Sequence, residues 1–116
     1  AVNAATNSVY EEMRTLPETR ALIIAAMEET LSVGKASGAP IIDGTLERAI
    51  NAMDNFPAQG RASLAKDFSE GHMVELEGIT GILVRLGRET GTPPPVNNAL
   101  YAILKPWVLR NQLANQ

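Results

Sequence analysis

The sequence predicts an all-α fold, a compact bundle of about six helices with short connections. Three observations carry this. Apolar residues recur at helical spacing in one segment after another, the cleanest being Leu22, Ile23, Ala26, Met27, Leu31 and Val33; such spacing lines one face of a helix. No stretch alternates apolar and polar residues long enough to make a strand, and no strand–glycine–helix nucleotide fingerprint occurs. Gly and Pro stand between the periodic segments, where helices stop and restart. No heptad persists, so a bundle is expected rather than a coiled coil.

Taken in order, Val2, Ala5, Val9 and Met13 make one helical stripe, and a single helix is expected from Ala1 to Met13. Asn3, Asn7, Tyr10 and Arg14 form a polar stripe beside it. Asn is a poor helix-interior residue because its amide competes with the backbone. The pair Asn3 and Asn7 is therefore either a solvated face or two amides aimed at a polar ligand.

Thr15-Leu16-Pro17-Glu18 breaks the helix and starts the next, with Pro17 and Glu18 suited to a first turn. That helix ends at Ser37-Gly38. Glu28 and Glu29 are sequence neighbours and cannot form a facing dyad. They read as outer-face charges, with Glu29 able to turn toward a neighbouring helix. Asp43 or Thr45 is expected to cap a short helix holding Leu46, Ala49, Ile50 and Met53. Asn55-Phe56-Pro57 ends it, with Phe56 as a loop anchor on the core.

Arg61 to Ser69 reads as a fourth helix, Glu70-Gly71-His72 as a turn, and Met73 to Glu89 as the longest periodic helix. Gly78 and Gly81 sit inside it one turn apart, where close approach of another group explains their helical cost. Gly91 stops it. Pro93-Pro94-Pro95 is expected to be a rigid extended corner. Asn97 or Asn98 would cap a last helix presenting Leu100, Ile103, Leu104, Trp107 and Val108, which Pro106 should kink or interrupt.

Composition narrows the function classes. The 116 residues are 45% hydrophobic and 20% charged, enough for one domain with a modest core. A net charge of -3 supplies no cationic field for nucleic acid. The longest apolar run, Ala21 to Met27, is far short of a bilayer span, and no secretory signal is visible. Cytoplasmic residence fits. There is no cysteine, which excludes disulfide and thiolate chemistry. His72 is the single histidine and reads as an exposed loop residue, so a metal site or histidine triad has little to build on.

The most specific polar combination is Ser63, Asp67, Glu75 and Asn97 within Arg61–Leu104. This stretch resembles the C-terminal domain of the ketopantoate reductase (2-dehydropantoate 2-reductase) family. The matching residues are Ser63, Asp67, Glu75 and Glu77, then Gly81, Val84, Arg85, Gly87 and Gly91, then Pro93, Pro95, Val96, Asn97, Leu100, Tyr101 and Leu104. Further back, Glu29, Val33 and Gly38 fit a second pattern. The opening AVNAATNSV is similar to the family's Lys-x-x-x-Asn-x-x-x-Asn helix, with the Lys lying four residues before Asn3, outside the chain.

The resemblance implies the fold of the 6-phosphogluconate dehydrogenase C-terminal-like helical domain. It also implies that residues 1–116 are a single substrate-binding and dimerisation domain, cut from a longer chain with an N-terminal Rossmann domain that binds NADPH. The implied reaction is hydride reduction of a small 2-oxo acid, ketopantoate to pantoate or a close analogue, by a cytoplasmic homodimer. The absent Lys would be the general acid. Asn3, Asn7 and Ser63 would bind substrate, and Glu75 would lie on the cofactor side. Amide donors near a ketone oxygen suit the negative charge that hydride addition builds there. The chain departs from the family pattern at Ser8, Thr80 and Pro17, where Pro, Asn and a further substrate-side Asn are usual, and these changes bear on the substrate. The alternative is a non-catalytic all-α oligomerisation module. An upstream G-x-G-x-x-G motif with Lys four residues before Asn3 decides for the enzyme, and an unrelated upstream sequence for the module.

Overall fold

A long helix near the start of the chain, Pro17–Ala36, packs against every other described helix and forms the spine of the molecule. The structure, a computed structural model, describes residues 2–6, 9–60, 76 and 80–114, the side chains at 3, 4 and 111–114 excepted. Among these residues are six helices and no strand: α1 (Val2–Thr6), α2 (Tyr10–Thr15), α3 (Pro17–Ala36), α4 (Thr45–Asp54), α5 (Ile82–Thr90) and α6 (Pro95–Ala114). The all-α class holds. The core gathers Val2, Met13, Met53 and Leu100, with Leu22, Ile23, Ala26, Met27, Ile50 and Val96 packed around them. Val33, Leu76, Leu104 and Val108 are also buried.

The first stripe is not one helix. Val9 is extended (φ -85°, ψ 167°), so α1 and α2 are separate. The reason lies far along the chain. Tyr10 N–H donates to Gly60 O at 2.9 Å and Glu11 N–H to Ala58 O at 3.0 Å. The Glu12 carboxylate accepts from Val9 N–H at 3.2 Å. First-turn N–H groups, which a helix leaves without internal partners, are thus satisfied by a distant loop. Apolar spacing cannot register that exchange, because Val9 and Met13 keep their helical interval across the break.

The Pro17 restart stands as expected. Leu16 is extended (φ -76°, ψ 124°) and serves as the end of α2 and the entry to α3, with Pro17 in the first turn. Thr19 Oγ1 ties the corner by donating to Met13 O at 2.8 Å. Ser37 ends α3 and Gly38 (φ +88°) leaves it, also as expected.

Neither Asp43 nor Thr45 caps α4. The entry residue is Gly44, at φ +81°, and the Thr45 hydroxyl donates backward to Ile42 O. The turn folds on itself through Gly44's left-handed backbone, so no side chain reaches the helix N–H groups. The far end of α4 is clamped by arginine. Arg14 Nη1 donates to Met53 O, Asp54 O and Phe56 O at 3.3, 3.2 and 2.7 Å. Arg20 pairs with Asp54 through contacts of 2.7 and 3.0 Å. Phe56 is not sunk in the core: it is 41% exposed and packs on the Tyr10 ring at 4.6 Å between centroids.

The expected fourth helix and the turn at His72 lie outside the described residues, as does Gly78. Of the long Met73–Glu89 helix, Leu76 is helical and buried, a wide π-type turn occupies Thr80–Gly81, and α5 follows to Gly91 (φ +70°). A close glycine contact stands at Gly87. A Cβ there would stand 2.5 Å from Pro94 Cδ and 2.8 Å from Thr92 O.

The last helix starts at Pro95, before Asn97 and Asn98, so the proline corner is shorter than three residues and Pro95 occupies the first helical position. Helix α6 also runs on through Pro106 instead of being interrupted. Pro106 forfeits one backbone bond, the one Ala102 O would accept. Ala102 is exposed, so water can take that carbonyl, while Leu104 and Val108 remain packed on either side. Ile103 and Trp107 do not join that buried row and are 52% and 50% exposed.

Candidate functional site

The four expected site residues fall almost wholly outside what the structure describes. Asn3 is placed on α1 by its backbone, one residue after buried Val2. Its side chain, and the whole of Asn7, Ser63 and Glu75, lie outside the described residues. What the structure does place is the packing of α1 on its neighbours and a fastening between α3 and α6.

That fastening is a single carboxylate. Glu29 Oε2 accepts from Val96 N–H at 2.7 Å, and Glu29 Oε1 accepts from Asn97 N–H at 2.9 Å. The Asn97 side-chain amide donates to Glu29 Oε1 at 2.9 Å and to Ala26 O at 3.2 Å. Asn97 is buried, and among the described residues no buried side-chain nitrogen or oxygen lacks a partner. Glu29 on α3 thus caps the first turn of α6 across more than sixty residues of chain. It satisfies orphan N–H groups and places negative charge at the positive end of the helix. Asn97 is a donor within the helix, not its cap. Glu29 is turned inward, not outward.

Sequence reasoning allowed Glu29 to turn inward but did not identify its partner. A signal existed: Thr92-Pro93-Pro94-Pro95-Val96 opens a helix with no local carboxylate, amide or hydroxyl immediately before Pro95. A helix start without a local cap leaves its first N–H groups to water or to a remote acceptor.

Two cavities flank this clasp. One, of about 430 Å³, is mainly apolar and is lined by Val2, Ile23, Met27, Thr80, Leu83 and Asn97 among others. The other, of about 390 Å³, is an open cleft between α3 and the proline corner, with Glu28, Glu29, Ser32 and Thr92 on its walls. Tyr10 also borders the apolar cavity, and burial raises its hydroxyl pKa, so it stays a neutral donor at physiological pH. Among the described residues no group of acidic or histidine side chains could hold a metal ion. No strand–glycine–helix phosphate loop occurs in the sequence.

These features define a helical domain: a central helix, a long last helix capped from it, and a first helix seated on both. The chain belongs to the family described as "Ketopantoate reductase PanE/ApbA C terminal", whose profile matches residues 1–107. It is 27% identical over 112 residues to a 2-dehydropantoate 2-reductase of Pyrobaculum aerophilum, a match covering 90% of this chain and 40% of that protein. Its fold matches a ketopantoate reductase of the PanE/ApbA family from Ralstonia eutropha JMP134 at a TM-score of 0.83 and 26% identity, over 96% of this chain and 37% of that one. It matches 2-dehydropantoate 2-reductase from Methylococcus capsulatus equally well (TM-score 0.83, 26% identity, 95% and 38% coverage). A dimeric ketopantoate reductase from Staphylococcus aureus shares the fold at a TM-score of 0.87 and 21% identity, over 95% and 38% of the two chains. The chain therefore spans about two fifths of the length of these relatives.

Proposed function

We propose that this chain is the C-terminal helical domain of an NADPH-dependent oxidoreductase that reduces a small 2-oxo acid, ketopantoate to pantoate or a close analogue. The observation that carries this reading is the family match across residues 1–107, joined to a relative named for that reaction. The remainder of the relatives' length leaves room for a Rossmann domain, which would hold the dinucleotide. NADPH, when bound there, supplies the hydride.

This chain's own residues bind and orient the acid. Asn3, Asn7 and Ser63 offer amide and hydroxyl donors to its oxygens, and Glu75 stands toward the cofactor. The general-acid Lys falls four residues before Asn3, on the same helix edge. A donor placed at the ketone oxygen is most valuable as that oxygen gains charge. A homodimer, formed through helical domains, and a cytoplasmic location complete the reading. Among the described residues no helix is long and apolar enough to cross a membrane.

The experiment is NADPH consumption with ketopantoate, by the full-length protein and by residues 1–116 alone. Turnover by the first and none by the second is expected. In the full-length protein, Asn3→Ala and Ser63→Ala should each lower kcat/KM by about tenfold or more, the loss of one substrate hydrogen bond. Turnover by the isolated chain, or unchanged kinetics in both variants, would overturn the assignment.

A further inference from the structure

We propose that Glu29 is a positioning residue for the substrate helix α1, acting through α6. The inference rests on the functional reading above for what α1 does, and on observed contacts for how α1 is held.

The described part of helix α1 is Val2–Thr6. A helix in a protein keeps its place mainly through the tertiary packing of its apolar face, so the position of α1 depends on its neighbours. Among the described residues those neighbours are α2, α3 and α6. The anchor is Val2, buried in the same cluster as Leu100 of α6. Leu100 follows Asn97 by three residues, so the two lie on neighbouring positions of one helix face. The residue that Glu29 grips and the residue that seats α1 are thus one turn apart.

Every partner of the Glu29 carboxylate in this clasp is a donor: two backbone N–H groups and one side-chain amide. Replacing it by Gln turns one oxygen into an NH2 that faces an N–H. Either Val96 or the Asn97 pair then loses its acceptor, and the first turn of α6 must shift or fray. Leu100 moves with it, Val2 follows Leu100, and Asn3 is the next residue. A displacement on the order of 1 Å at a substrate group can cost up to ~100-fold in rate.

The test uses the full-length protein carrying Glu29→Gln, with Leu46→Ala on α4 as a control that loosens the fold elsewhere. Backbone hydrogen exchange is read over α1, and KM, kcat and NADPH affinity are measured with ketopantoate. For Glu29→Gln we expect faster exchange in α1 and a KM raised by about tenfold, with NADPH affinity unchanged. For Leu46→Ala we expect no preferential loosening of α1 and an unchanged KM. If Glu29→Gln does not fold, Asn97→Ala replaces it. That variant keeps both backbone bonds to Glu29, and the same effects should appear at smaller size. Unchanged exchange in α1, or an equal rise of KM in the control, overturns the proposal. If the unaltered protein fails to reduce ketopantoate, the functional reading falls and exchange alone decides the role of Glu29.

Discussion

Gly87→Ala should destabilise the domain, although Gly to Ala in a helix ordinarily does the opposite. Gly87 lies in the last part of α5, where Ala is favoured by up to ~1 kcal/mol through helix propensity. The structure opposes this. The added methyl would sit 2.5 Å from Pro94 Cδ and 2.8 Å from Thr92 O. Comfortable carbon contacts begin near 3.5 Å, so the shortfall is about 1 Å. Neither neighbour is the free end of a flexible chain. Pro94 is a fully buried ring, and Thr92 is backbone whose own N–H donates to Gly87 O at 2.8 Å. Two residues further on, Val96 and Asn97 are held by Glu29. Relief therefore requires the whole corner to move. Overpacking of this kind costs about 1–3 kcal/mol, and the rigid surroundings favour the upper end. Subtracting the propensity gain leaves about 2 kcal/mol of destabilisation, or on the order of 8 °C in Tm for a domain of this size.

The assay is equilibrium urea denaturation and thermal melting, with Gly34→Ala as the paired control. Gly34 is inside α3, and a methyl there would touch only the Ile41 Cδ1 end at 3.4 Å and Ala39 Cβ at 3.9 Å. That substitution should stabilise by about 0.5–1 kcal/mol. A neutral or stabilising Gly87→Ala, or equal losses at both positions, would refute the argument that backbone approach decides the sign.

Arg14→Ala removes the guanidinium shared by three carbonyls at the end of α4. It should cost about 1–3 kcal/mol in urea denaturation, since hydrogen bonds from a charged donor are among the stronger ones. The Arg20–Asp54 pair gives a pH effect of definite sign. The hydrogen bond from Arg20 is the main cause holding the Asp54 carboxyl below its ordinary range. A depressed native pKa contributes stability above the unfolded value, near ~3.9, and loses it as pH falls through the native one. Thermal melting across the acid range should therefore show a loss that Arg20→Met makes shallower.

What was legible in the sequence follows from how local each feature is. The spine helix α3 carries its start at Pro17, its stop at Gly38 and its apolar face within one segment, and all three stand where spacing put them. The break at Val9 does not show locally. The stripe Val2, Ala5, Val9, Met13 keeps helical intervals, while the groups that divide α1 from α2 are carbonyls at Ala58 and Gly60. Asp43 and Thr45 have the right chemistry for a cap, yet the left-handed Gly44 turns the chain so that neither reaches the helix end. Pro106 carries a strong local breaking signal that tertiary packing overrides.

Glu29 and Gly87 meet at the same corner and show why the entry to α6 could not be read from local sequence, while of the expected site residues only the backbone of Asn3 lies among the described residues. Gly87 admits Pro94 and Thr92 to α5, and Glu29 then receives the N–H groups that the proline corner delivers. Proline carries no N–H and fixes its own backbone angle, so the three-proline run can deliver α6 at a set direction but cannot cap it. The cap must come from elsewhere, and α3 is the helix in contact with both α5 and α6. An outward carboxylate and an inward one look alike in sequence. They differ only in what lies across from them, and here that is a helix start with no acceptor of its own.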